Sequence, residues 1–124
     1  MASTQLTISL ILAYLKNNIA VNENTGPIYI NVGGNGLVSN SAYVATTTDT
    51  ALPLGSVTAA GGWFFLYNQD LTNQVNIKTA VSGTILTNVK AGEACLFRLP
   101  SGVTAPSIQS LNNSVVVSYV LFDN

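Results

Sequence analysis

The chain has 124 residues, enough for one hydrophobic core and too few for two. Apolar residues make up an ordinary 48% of it, but charged residues only 7%, against roughly 25% in average soluble proteins. Four cations and five anions leave a net charge of −1; Lys16, Lys78, Lys90 and Arg98 are too few and too scattered in sequence to promise the basic patch that a nucleic-acid backbone requires, and a surface this poor in Lys and Glu is either sparingly soluble or covered by neighbours.

The opening segment, MASTQLTISLILAYLK, has no positively charged start, is interrupted by Thr7 and Ser9, and is followed by no small-residue cleavage pattern, so it does not read as an export signal. No apolar run approaches the roughly 18 residues of a membrane span, and the expectation is a protein made in the cytoplasm and neither exported nor inserted. Leu6, Ile8, Leu10, Leu12 and Tyr14 fall on every second position, the period of a strand. A helical stripe through Ile8, Ile11, Leu12 and Leu15 fits nearly as well, and the Thr and Ser content decides for strand. Asn22 to Pro27, NENTGP, reads as a turn, followed by a short strand through Ile28, Ile30 and Val32. Gly33 to Gly36, GGNG, predicts a tight reversal. It lacks the GxGxxG spacing, a following helix and a lysine, so it is no phosphate loop.

Ala42 to Thr50 is rich in Val and Thr, and Leu52 and Leu54 straddle Pro53 at a strand edge or bend. The aromatic run WFFLY then places Trp63, Phe65 and Tyr67 on one face of a strand and Phe64 and Leu66 on the other. Asn68 to Gln74 reads as a hairpin connection, and Val75 and Ile77 return inward with Asn76 and Lys78 outward. Further strands are expected at Gly83 to Val89, across Cys95, Phe97 and Leu99, at Ser107 to Leu111 and at Val115 to Phe122, with turns at KAGE before Ala94 and at Asn112 to Ser114. About eight short strands and no helix predict an all-β fold, an antiparallel β-sandwich or jelly roll. The chain reads as one domain over 1–124, with residues 1–40 also describable as an extended arm or edge-strand region.

The inventory for chemistry is thin. There is no histidine, and a catalytic site would need Asp49, Asp70 and Glu93 to converge from separate turns, each of which is better explained as a solvated turn position. The abundant Ser and Thr hydroxyls lack a base. Cys95 is the single cysteine, so no internal disulfide exists, and in EACLF it reads as a small buried hydrophobe. The segments NQD and TTTDT offer oxygen ligands but do not resemble an EF-hand loop. No enzyme activity, metal or cofactor is expected. Trp63 and Tyr67 are candidates for stacking on a sugar, with packing against protein the better-supported role.

A sandwich of this size uses one face of each strand for its core, yet WFFLY and VVVSYVLF are apolar on both. The surplus face predicts a homo-oligomer with interfaces near the standard ~800 Å² per partner. Trp63, Phe65, Tyr67 and Phe122 are the interface candidates, with Phe64, Leu66, Phe97 and Leu99 assigned to the core; alternation groups these residues but does not say which group points inward.

ALPLGSVTAAGGWFFLYNQD, VKAGEACLFRLP and the closing VVVSYVLFDN together resemble a pattern of small β-rich virion structural proteins of tailed bacteriophages. Its marks are a Leu-x-Leu-Gly step, a strand ending in Asn and Asp, a Lys-Ala-Gly-Glu turn into a Phe-Arg-Leu-Pro strand, and an apolar final strand. The likeness spans about Ala42 to Asn124. It implies a cement or decoration protein on the capsid surface, a dimer or trimer binding the major capsid protein, with no nucleic-acid or membrane partner. The alternative it implies is a tail, neck or fibre component in host attachment, with Trp63 or Tyr67 contacting a glycan.

Overall fold

The structure, a computed structural model, describes residues 5–32, 36–58 and 61–123. Among these residues there is no helix; ten strands pair antiparallel throughout, so the fold is all-β as expected. The GGNG reversal falls largely outside the described residues. The chain divides into two compact units, Met1–Gly33 and Gly34–Asn124.

The first unit is a two-stranded ribbon of β1 (Gln5–Lys16) and β2 (Ile19–Asn31). Asn17 and Asn18 both take positive φ, 51° and 64°, as a two-residue type I′ turn demands and as Asn tolerates better than most residues. This turn was not anticipated, whereas NENTGP, expected to reverse the chain, stays within β2. There the register slips, with Thr25 and Gly26 set against the single residue Leu10. Gly26 takes φ +63°, and the Thr25 hydroxyl accepts the Leu10 N–H at 3.1 Å. The Gly and Asn that mark turns thus build a bulge, which bends and twists a strand without ending it.

The second unit is a sandwich of two four-stranded sheets, β3-β10-β5-β8 and β4-β9-β6-β7. Its strands are β3 (Leu37–Ala45), β4 (Thr50–Ala51), β5 (Trp63–Asn68), β6 (Val75–Lys78), β7 (Ile85–Val89), β8 (Ala94–Arg98), β9 (Ser107–Ser110) and β10 (Val115–Phe122). The first of these pairs with the last, the second with the second last, and so inward to β6 with β7. An eight-strand ribbon has folded back on itself and wrapped into two layers, the winding of a jelly roll. This corrects the reading of Asn68 to Gln74 as a hairpin connection: β5 and β6 lie in different sheets, and the segment carries the chain across. The fully buried Asn68 holds that corner, its amide donating to the Asn73 and Val89 carbonyls at 2.9 and 3.1 Å while its oxygen accepts the Asp70 N–H at 2.9 Å.

The core lies between the sheets. Phe64 and Leu66 from β5 and Val117, Tyr119 and Leu121 from β10 join Val75, Ile77, Val89 and Ile108 from the other sheet. Each large apolar side chain so enclosed contributes about 1.5–3 kcal/mol. Phe64 stacks near Tyr119 and tilts against Phe97 with centroids 6.4 and 5.6 Å apart, and the Tyr119 hydroxyl donates to the Pro53 carbonyl at 2.8 Å. Asn76, expected outward, is buried and accepts a 2.7 Å bond from Asn88 across the β6–β7 pair, so the polar position costs little. At the far end of β10 the buried Asp123 carboxylate accepts the Gly36 and Thr58 amides at 2.7 and 2.8 Å. A Cβ on Gly36 would collide with that carboxylate and with the Ser56 carbonyl, so only glycine fits there.

Candidate interaction surfaces

Because Phe64 and Leu66 point into the core, alternation turns Trp63, Phe65 and Tyr67 to the outside of the β3-β10-β5-β8 sheet. The register then assembles a patch. Phe65 lies between Val120 of β10 and Leu96 of β8, and Tyr67 between Ser118 and Ala94. Trp63 faces Arg98, and Phe122 faces Leu37. Tyr67 is 41% exposed, while Trp63, Phe65 and Phe122 are half-buried. All four candidate interface residues therefore share one sheet face. Of the four assigned to the core, Phe64, Leu66 and Leu99 are enclosed and Phe97 packs against its margin.

Trp63 is the least free of the group. The Arg98 guanidinium lies over its ring, 5.5 Å from the centroid, a cation–π arrangement that occupies one ring face. Its indole Nε1 is buried with no hydrogen-bond partner.

A second apolar surface, on the ribbon, went unremarked in the sequence pattern. Leu10, Leu12, Tyr14 and Lys16 alternate along one face of β1; on β2, Glu23, Val21 and Ile19 lie opposite Leu12, Tyr14 and Lys16, and Ile28 lies opposite Ile8 on the same face. Of the large apolar side chains on that face, Leu12 is 60% exposed, and Leu10, Tyr14, Ile19, Val21 and Ile28 are exposed with it. Ile11, Leu15 and Tyr29 are bare on the reverse side. The paired asparagines at Asn17 and Asn18, read as a hairpin turn, are the signal that would have revealed this surface.

The groups considered for chemistry hold local structure. Asp49 receives the Lys78 ammonium at 3.1 Å and the Ser82 N–H at 2.7 Å. Desolvation alone would raise its pKa, but these partners outweigh it and hold the carboxyl below its ordinary value. Asp70 accepts the Asn73 and Thr72 amides at 2.6 and 3.0 Å, which lowers its pKa as well. Glu93 closes the turn before β8 by accepting the Lys90 N–H at 3.1 Å. Among the described residues no three His, Cys, Asp or Glu side chains converge on a metal-sized site. Burial pushes the Cys95 thiol up to about 11, so it stays protonated and poorly nucleophilic at neutral pH. An open polar cleft of about 730 Å³ runs between Thr46, Thr47, Asn73, Asn112 and Ser114. No helix among the described residues is long and apolar enough to cross a membrane.

Comparison of the chain with protein-family models, with curated proteins and with solved structures found no match.

Proposed function

We propose that this protein is a non-enzymatic structural component of a tailed-bacteriophage virion, a capsid cement or decoration protein that acts as a homo-oligomer and binds adjacent major capsid subunits. The observation that carries the reading is the surplus of apolar strand surface: the sheet face around Phe65 and Tyr67 and both faces of the ribbon lie outside the core, in a chain whose charged share is 7%. Surfaces of that kind are depleted in charge because they meet protein. The resemblance of the segment from Ala42 to Asn124 to small β-rich virion proteins supplies the address. A ligand that binds the closed shell in preference to the opened one stabilises it by mass action, and unpaired strand edges add hydrogen bonds to the apolar contact.

The test is to add the purified protein to tail-less heads lacking it and follow both co-sedimentation and the temperature at which the heads open. Saturable binding with a raised opening temperature supports the cement role. No binding to heads, together with saturable glycan binding that Trp63→Ala abolishes, transfers the protein to host attachment. The Arg98 guanidinium over Trp63 favours the first outcome, since it covers a ring face that a sugar would need.

A further inference from the structure

The geometry points to the β1–β2 ribbon as the self-association element of this protein, its apolar surface covered by the ribbon of a second copy. This inference rests on the homo-oligomeric part of the proposed function and locates it on residues 6–30 rather than on the sandwich.

Three observations lead there. A lone two-stranded ribbon is marginal in water, because each strand has one hydrogen-bonded neighbour and no layer beneath it. Ile8 is buried, but Leu10 to Thr25 are exposed on both faces throughout. Taking roughly 150–200 Å² for each large side chain fully exposed, the bare Leu, Ile, Val and Tyr residues of the Leu12 face amount to about 500 Å², and Ile11, Leu15 and Tyr29 add about 370 Å² on the reverse side. The Leu12 face alone lies at the upper end of the ~300–600 Å² patch of a typical monomer, and it equals the apolar share, about 60%, of the ~800 Å² that each partner brings to a standard interface.

The charges then select the occupant. The Leu12 face carries one cation, Lys16, and one anion, Glu23, set about four residues apart along the strand direction. A surface with one charge of each sign and otherwise apolar is complementary to itself. Two copies in antiparallel register about the Tyr14–Val21 row bring Lys16 of each into the row that holds Glu23 of the other, whereas parallel stacking sets like charges together. A foreign surface finds no net charge here to recognise. A second copy also offers matching unpaired edges and the further layer that a marginal hairpin lacks.

The experiment uses the full chain and measures mass by light scattering at low salt, with circular dichroism confirming that each variant keeps its sandwich. Wild type is expected to be oligomeric, and Leu12→Asp monomeric at the same concentration. Lys16→Glu and Glu23→Lys, each now bearing two like charges on the face, are expected to self-associate at least tenfold more weakly. Mixed one to one, they are expected to form joint complexes well above the chance frequency. If wild type is oligomeric and Leu12→Asp leaves the mass unchanged, or if mixed complexes are no more frequent than chance, the ribbon is not the element, while the homo-oligomer stands. A monomeric wild type removes both.

Discussion

Leu12 of the ribbon and Leu66 of the sandwich occupy strands of the same alternating grain, yet one is 60% exposed and the other fully enclosed. The difference is the layer count. In the sandwich every inward side chain meets a second sheet across about 10 Å, and the wrapped topology supplies that sheet from the same chain. In the ribbon both faces are exposed from Leu10 to Thr25. Alternation therefore reports which residues share a face, and only a second layer turns a face into a core. Strand content is no measure of local stability when one region holds the burial and another presents it.

Changes to the sandwich core break this contrast most severely. Phe64→Ala should cost about 3–5 kcal/mol in denaturant unfolding, since Tyr119 and Phe97 cannot both close on the cavity. Next, Asp123→Ala should cost about 1–3 kcal/mol by leaving the Gly36 amide buried without an acceptor; an unchanged midpoint would show that water replaces the carboxylate there. Acid should act on the same unit. Asp49 and Asp70 have folded-state pKa values below their ordinary ones, so their contribution is complete above about pH 5 and is lost as pH falls through the lowered values. A thermal midpoint that falls below about pH 4 in wild type, and falls less in Asp70→Asn, is the expected profile.

The ribbon should respond weakly by the same measure. Leu12→Ala is expected to shift unfolding of the monomeric chain by no more than about 0.5 kcal/mol, because the side chain has little burial to lose. A cost of several kcal/mol in dilute monomer would mean that the ribbon carries burial of its own. The smallest effect expected is a gain: Asn18→Gly relieves the φ of +64°, adding a few tenths of a kcal/mol, readable as slower amide exchange in β1 and β2.

Much of the sandwich was legible from residue order. Val115 to Phe122 and the WFFLY strand are continuous β-branched and aromatic runs bounded by turn residues, and the division of Phe64 and Leu66 from Trp63, Phe65 and Tyr67 follows from the pleat alone. Which division faced inward did not, and neither did the layer change at Asn68 to Gln74, where Asn, Gln and Asp look the same in a hairpin loop and in a crossing between sheets. The ribbon was half legible. Its first strand was anticipated, but its turn was placed at NENTGP instead of Asn17 and Asn18, because Gly and Asn serve a bulge as readily as a reversal.

What residue order determined by itself was short-range: strand periodicity, the grouping of side chains by face, the absence of histidine and the poverty of charge. Tertiary structure alone decided the pairing of β3 with β10, the burial of Asn76 and Asp123, and the exposure of Leu12. The physical reason is that a strand's hydrogen bonds and its covering layer both come from residues distant in the chain. Local pattern sets what a strand offers, and the partner that comes to lie beside it sets what is buried.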